Sequence, residues 1–226
     1  MPAIELICLD MSGTTVRDDG AVEQAFISAL AEVGIAVGSA RYAEALEVIR
    51  ATMGQAKIEV LRLILRDEFS ALRANKAFEK AYAKLLADGA VDALPGAEQL
   101  LGQLRAAGLR ICLTTGFAPA TREALIDRLN WGRRIDLALS PVEAGRGRPW
   151  PDMIITAARY LEISGMSAVA VAGDTPNDIR AGLAAGASIV AGVLSGSGTR
   201  SALTEAGATH VLDTVGELLP IVVPVG

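Results

Sequence analysis

The stretch IELICLDMSGTT, residues 4–15, decides the fold of this chain. Residues 4–9 form an apolar run of strand length, and the run ends abruptly at Asp10. The residues at 12–15, SGTT, belong to types that favour loops. The stretch therefore predicts a buried strand that presents a carboxylate at its carboxyl end.

Beyond residue 95 the sequence alternates between strand and helix patterns. The strands are predicted at residues 109–113, 137–139, 168–172 and 188–193 and near His210, and the helices at about 97–107, 121–129, 152–161 and 179–185. Such alternation implies right-handed crossovers, a parallel sheet with helices on both faces, and ligands at the carboxyl ends of the strands. We therefore expect an α/β fold with a Rossmann-like parallel sheet.

The pattern differs in the stretch between these two parts. Apolar residues in the stretch 22–88 recur at helical spacing, and almost none of it resembles a strand. We expect an inserted all-helical cap of four or five helices, lying over the carboxyl edge of the sheet. The expected domains are an α/β core of residues 1–16 and 95–226 and a cap of residues 17–94.

The composition favours an enzyme with an aliphatic core. Hydrophobic residues make up 51% of the 226 residues and aromatic residues only 4%, as is common for parallel sheets. The net charge of −5 includes no basic run, which argues against a nucleic-acid partner. Cys8 and Cys112 lie in apolar runs and are expected to be buried free thiols. No signal-peptide pattern or membrane-span length of about 20 apolar residues is present, so we expect a cytoplasmic monomer or homodimer without membrane association.

Two further strand ends carry groups suited to an anion. Thr114, Thr115 and Gly116 follow a predicted strand and offer hydroxyl and backbone N–H donors. Arg148 lies in the glycine-rich loop 145–149, and its planar fork of donors suits a phosphoryl group. Each segment also has a local explanation, an ordinary strand end for the first and a solvated loop for the second.

A fourth strand end carries two carboxylates. In the segment VAVAGDTPND, residues 169–178, an apolar strand is followed by Asp174 and Asp178. Acidic residues in such a place suggest a hard cation bound by oxygen ligands, most plausibly Mg²⁺. Alternatively, Asp178 or Thr175 caps the helix that follows.

Together, these four strand ends resemble the haloacid dehalogenase superfamily over essentially the whole chain. Their order is nucleophile, hydroxyl, cation and acidic pair. The resemblance implies that Asp10 attacks phosphorus and forms an aspartyl phosphate, that Thr114 is the hydroxyl of the second motif, and that Arg148 takes a basic position that is usually Lys. The substrate contacts it implies are Ser12, Gly13, Thr14, Met53, Thr115 and Gly116.

The resemblance also implies a magnesium ion. Its ligands would be Asp10, the backbone carbonyl of Ser12, Asp174 and Asp178. An anionic carboxylate approaches an anionic phosphoryl group only when that charge is neutralised, and Mg²⁺ with Arg148 supplies the neutralisation.

The residue two positions after the nucleophile narrows the chemistry. Most phosphatases of the superfamily carry a second Asp there as general acid, and this chain has Ser12, which would cost about 10²–10⁴-fold in phosphomonoester cleavage. Phosphonoacetaldehyde hydrolases lack this Asp because their leaving group is carbon. The segment TMGQAKI, residues 52–58, resembles their Met-Gly-x-x-Lys-Ile segment and places Lys57 at the Schiff-base position.

Some residues depart from that branch of the superfamily. Val60 stands where the branch has His, Phe117 replaces a Tyr, and the only histidine, His210, is predicted far from the site. On an amphipathic helix, Lys57 could equally be a solvated surface residue. The expected substrate is a small phosphonate, phosphonoacetaldehyde or a related compound. The alternatives are a phosphatase of small phosphate monoesters without the usual acid, and a binding protein with low turnover.

Overall fold

The computed structural model describes residues 3–223 of the chain. In chain order, the strands and helices are β1 (Leu6–Asp10), β2 (Val16–Arg17), α1 (Ala21–Glu32), α2 (Ala40–Ala51), α3 (Lys57–Leu65), α4 (Glu68–Ala87), β3 (Asp92–Ala93), α5 (Ala97–Ala106), β4 (Arg110–Thr114), α6 (Pro119–Arg128), β5 (Leu137–Leu139), α7 (Pro141–Ala144), α8 (Asp152–Tyr160), β6 (Val169–Gly173), α9 (Pro176–Ala185), β7 (Ile189–Val193), α10 (Arg200–Glu205), β8 (His210–Leu212) and α11 (Leu219–Val222).

Six of these strands form one sheet in the order β5-β4-β1-β6-β7-β8. All of its pairings are parallel, which confirms the predicted Rossmann-like α/β fold. From the central β1 the chain builds outward to β5 on one side and to β8 on the other. In open parallel sheets ligands bind where the strand order reverses in this way, at the carboxyl ends of the strands.

Both faces of the sheet are covered by helices, because alternate residues of β1 point to opposite sides. Leu6 and Cys8 pack with residues of α8 and α9, whereas Ile7 and Leu9 pack with residues of α5. The whole strand is buried, which explains its nearly continuous apolar sequence. Cys8 and Cys112 are neighbours in register and are both buried free thiols, as expected.

The insert between β2 and β3 contains the four helices α1 to α4. Within it, α4 packs against α1 and α3, and it also contacts the core helix α6. The insert is therefore helical, as the sequence predicts. The domain bounds 17–94 remain a prediction.

Several short elements were not predicted. The strands β2 and β3 pair antiparallel where the chain leaves and re-enters the core, and the short helices α7, α10 and α11 lie in loops. Elements of two to six residues are too short to show a hydrophobic period. Within residues 3–223, no helix combines the length and apolar character that a membrane crossing requires.

An aromatic cluster joins the helical insert to the core. The rings of Phe26 and Phe78 lie 4.8 Å apart, and the ring of Tyr82 lies 4.5 Å from that of Phe117 in the core. All four side chains are at most 1% exposed. Aromatic packing of this kind stabilises the contact beyond the burial of area alone.

We therefore predict that Phe78→Ala lowers the free energy of unfolding by about 3–5 kcal/mol, because it opens a cavity in this cluster. The matched control is Phe69→Ala on the same helix, since Phe69 is 75% exposed. That change should alter the free energy by less than about 0.5 kcal/mol. Urea denaturation followed by circular dichroism measures both, and equal effects would contradict the assignment of the cluster.

Candidate active site

Three carboxylates meet at the carboxyl edge of the sheet. Asp10 ends β1, Asp174 follows β6, and Asp178 lies in the first turn of α9. All three are buried, and one oxygen of each lies within 4.8 Å of the others. Thr114 ends β4 directly beside Asp10 in the sheet register. The sheet thus brings together four residues predicted from three separate strand ends.

A buried guanidinium connects these groups. Arg148 Nη1 lies 2.6 Å from Asp10 Oδ1, and its Nε lies 2.8 Å from Asp178 Oδ1. Its Nη2 donates to Thr114 Oγ1 at 2.9 Å. Arg148 is 5% exposed, so the alternative of a solvated loop residue is wrong.

Asp178 also caps its helix. The backbone N–H and hydroxyl of Thr175 donate to Asp178 Oδ2 at 3.0 and 2.5 Å, and Thr175 Oγ1 in turn accepts from the Asp178 N–H. These hydrogen bonds confirm the alternative prediction that Asp178 and Thr175 cap the helix. Because the other oxygen of Asp178 faces Arg148, capping and a place in the site are compatible.

Asp174 is held by a loop that the sequence analysis missed. Its Oδ2 accepts from the N–H of Ser197 at 2.7 Å and from the Ser197 hydroxyl at 3.1 Å. The predicted contact residue Thr14 is fully buried, and its hydroxyl lies 3.5 Å from Asp174 Oδ1. The carboxylate fills the space beside Gly13, where a Cβ would come within 2.6 Å of Asp174 Oδ2. The loop that contains Ser197 follows β7. Polar residues after an apolar strand identified the other site residues, and the same pattern would have identified this loop.

The charges of this cluster do not balance. Burial raises the pKa of Asp10 to about 8, with Asp178 and Asp174 adding to the effect and Arg148 opposing it. Burial and Asp178 likewise raise the pKa of Asp174 to about 6. Three carboxylates face one guanidinium, so ionised Asp10 requires a further cation. Clustered carboxylate oxygens are the ligands that Mg²⁺ prefers, so these residues fit such an ion.

Lys57 opens α3 and enters the site from the helical insert. It is 7% exposed, and its Nζ lies 5.1 Å from the centre of the Phe117 ring and 6.0 Å from that of Phe26. Burial lowers the pKa of this lysine, against the attraction of Asp10 and other nearby acids. The alternative of a solvated surface lysine is therefore wrong.

One cavity of about 670 Å³ contains most of the predicted residues. Its wall includes Asp10, Ser12, Gly13, Met53, Lys57, Thr115, Gly116, Arg148 and Asp174. Among the described residues, the hydroxyl of Ser12 is buried without a hydrogen-bond partner. The Ser12 carbonyl as a metal ligand remains a prediction. Val60 is buried inside the insert and His210 lies on the edge strand β8, so neither lines this cavity.

Backbone contacts dock the insert on the core. Asn177 Nδ2 donates to the carbonyl of Met53 at 2.8 Å, and Arg148 donates to the carbonyl of Gly54 at 3.2 Å. The Lys57 N–H donates to the carbonyl of Gly116 at 3.2 Å. A Cβ on Gly116 would lie 2.2 Å from the Gln55 carbonyl oxygen, so this close approach requires glycine.

The fold and the site define a class of enzyme, a hydrolase built on a Rossmann-like sheet with a carboxylate at the end of its first strand. A model of the family of haloacid dehalogenase-like hydrolases matches residues 4–186. This chain belongs to the haloacid dehalogenase-like hydrolase family.

Individual relatives indicate which branch of the family this chain resembles. The chain is 32% identical to a phosphonoacetaldehyde hydrolase of Bacteroides fragilis over 231 residues, covering 94% of this chain and 83% of that protein. It is 30% identical to a phosphonoacetaldehyde hydrolase of Syntrophobacter fumaroxidans over 222 residues, covering 90% and 76%. The crystal structure of a hydrolase from Pseudomonas syringae superposes with a TM-score of 0.83 at 25% identity, covering 97% of each chain. The expected likeness to phosphonoacetaldehyde hydrolases is thus confirmed.

We predict that Mg²⁺ raises the melting temperature more at pH 8.5 than at pH 6. Because the pKa values of Asp10 and Asp174 are raised to about 8 and about 6, protons compete with the cation below those values. Without the cation, these carboxyls should make the folded state less stable as pH rises from about 4 to about 8, since the unfolded chain releases its protons first.

Thermal unfolding with and without Mg²⁺ measures both effects. Asp174→Asn should remove the Mg²⁺-dependent shift, whereas Asp127→Asn, an exposed acid on α6, should leave it unchanged. A shift that persists in Asp174→Asn would place the cation elsewhere.

Proposed function

We propose that this enzyme hydrolyses the carbon–phosphorus bond of a small aldehyde phosphonate, phosphonoacetaldehyde or a close relative. The observation that carries the proposal is the position of Lys57. This buried amine lines the same cavity as Asp10 and Arg148. A substrate with a phosphonate at one end and an aldehyde at the other would meet a phosphorus-binding group and an amine at once. The names of the two relatives support the same substrate class.

Lys57 would prepare the leaving group. Because burial lowers its pKa, the lysine loses its proton more readily than an exposed lysine does. The neutral amine attacks the aldehyde, and loss of water gives an iminium. When the C–P bond breaks, its electron pair moves into this iminium and leaves an enamine. Carbon thereby becomes an acceptable leaving group.

Asp10 would receive the phosphoryl group. Its carboxylate attacks phosphorus and forms an aspartyl phosphate, which water later hydrolyses. Arg148, which already contacts Asp10 at 2.6 Å, stabilises the charge that develops on the phosphoryl oxygens. Mg²⁺ held by Asp10, Asp174 and Asp178 would supply further neutralisation of that charge.

Ser12 fits this chemistry because no proton is needed at its position. An ester oxygen that leaves as an alkoxide needs a proton from an acid at this position. An enamine carbon needs no proton from Ser12 when the C–P bond breaks. The serine hydroxyl has no partner among the described residues, and it adds no fourth negative charge to the three carboxylates.

The proposal predicts covalent trapping at Lys57. Incubation with phosphonoacetaldehyde and then borohydride should add the reduced substrate carbon skeleton to Lys57, located by mass spectrometry of peptides. Lys57→Ala should carry no such label and should lose nearly all C–P cleavage. Asp10→Asn is the matched control, because it keeps the amine and should be labelled without turning over.

Unlabelled wild-type protein would contradict the Schiff-base proposal. Phosphate-ester hydrolysis that survives Lys57→Ala would then favour the phosphatase alternative. Absence of any turnover despite a Mg²⁺-dependent rise in melting temperature would favour a binding protein.

Ser12→Asp separates the two enzymatic alternatives by the sign of its effect. In a C–P hydrolase it should lower turnover, because a fourth carboxylate raises the pKa of its neighbours and disfavours ionised Asp10. In a phosphatase that lacks its acid, it should raise hydrolysis of p-nitrophenyl phosphate by up to about 10²–10⁴-fold. Ser12→Ala, the control, should leave C–P cleavage nearly unchanged.

A further inference from the structure

The Schiff-base step needs a group that the known parts of the site do not provide. The amine must lose a proton before it attacks, and the hydroxyl that leaves as water must gain one. Val60 occupies the position of the histidine expected by resemblance, and it is 2% exposed in the interior of the insert. Ser12 is a poor acid and base near neutrality.

Asp18 lies on the wall of the same cavity as Lys57. It is half-buried between β2 and α1, where the chain enters the helical insert. Its Oδ1 accepts from the N–H of Val22 at 2.9 Å, which fixes the carboxylate at the start of α1. In the part of the chain that the structure describes, this is the one hydrogen bond of the Asp18 side chain, so its second oxygen is available to the cavity.

Asp18 and Lys57 each affect the pKa of the other. Burial raises the pKa of Asp18, and the positive charge of Lys57 opposes that rise. Burial lowers the pKa of Lys57, and Asp10 and then Asp18 oppose that fall. Between residues 3 and 223, no ion pair joins the Asp18 carboxylate and the Lys57 ammonium, so the proton would pass between them through a bridging water. The other charged or titratable groups that act on this pair are Asp10, Asp19, Glu79, Tyr82, Arg148 and Asp174.

Other carboxylates are less suited to this proton. Asp10 contacts Arg148 and is committed to phosphorus. Glu79 and Lys57 both line a second cavity of about 230 Å³, but neither Asp10 nor Arg148 lines it, so a substrate whose phosphonate is bound by those two residues lies in the other cavity. One oxygen of Glu79 accepts from the Thr121 hydroxyl, and its side chain does not line the cavity of Asp10.

We infer that Asp18 takes the proton from Lys57 and returns it during formation of the Schiff base, an assignment that rests on the proposed function. Asp18 accepts one proton from the ammonium, and the freed amine forms a bond to the aldehyde carbon. A second proton moves from this nitrogen to the former carbonyl oxygen. Asp18 then gives its proton to the resulting hydroxyl, the C–O bond breaks, and water and the iminium form. Hydrolysis of the imine product reverses these transfers.

Asp18→Asn tests this role without removing the helix-capping contact, because the amide oxygen still accepts from Val22. The measurement is the rate of Lys57 labelling by phosphonoacetaldehyde and borohydride, followed by mass spectrometry from pH 5 to 9. We expect labelling at pH 7 to fall by about 10²-fold, the lower end of what a positioned acid or base contributes. Asp127→Asn, which changes an exposed carboxylate on α6 outside the cavity, is the control and should label at the wild-type rate.

A purely electrostatic role has the opposite sign. Removing a negative charge near Lys57 lowers the pKa of the amine and increases its neutral fraction, so labelling would then become faster. The pH profile is a second readout, since wild-type labelling should fall as pH drops through the titration of Asp18, and Asp18→Asn should lack that decline. Asp18→Glu should restore part of the rate.

The outcomes separate the two proposals. Labelled wild type with an equal or faster rate in Asp18→Asn overturns the role of Asp18 and leaves the proposed function standing. Absence of labelling in the wild type overturns both.

Discussion

The ion pairs that Arg148 forms with Asp10 and Asp178 are the interaction on which the rest of the structure depends. A buried guanidinium or carboxylate without a partner is strongly destabilising, so each of these groups holds the others in place. Arg148 reaches Asp10 from β1, Asp178 from α9 and Thr114 from β4. Three separate segments of the chain are thereby fixed around Arg148, beside the proposed nucleophile Asp10. The remaining negative charge is what makes the site suitable for a hard cation.

Arg148 also contacts the helical insert. It donates to the carbonyl of Gly54, and the carbonyl of the preceding residue, Met53, accepts from Asn177. These contacts use backbone carbonyls, so they depend on where the chain runs more than on which side chains it carries. They place Lys57 on the wall of the cavity that also contains Asp10.

Lys57 and Asp10 lie in different electrostatic surroundings. Burial lowers the pKa of the Lys57 amine, whereas Arg148 opposes the rise that burial causes in the pKa of Asp10. In the proposed reaction, a neutral amine and an ionised carboxylate would act in the same cavity. Asp18, at the junction of insert and core, lines the cavity that Lys57 and Asp10 share.

The sequence by itself determined the sheet, its helical insert and the polar strand ends, because burial of β1 on both faces and the helical period of the insert leave a direct hydrophobic pattern. It also placed Asp10, Arg148 and Lys57 through their motifs. Only the tertiary structure decided that Lys57 is buried, that Ser197 holds Asp174 and that Asp18 shares the cavity. The physical reason is that these contacts join residues distant in sequence across the docking of insert and core, and no local period or spacing encodes such a meeting.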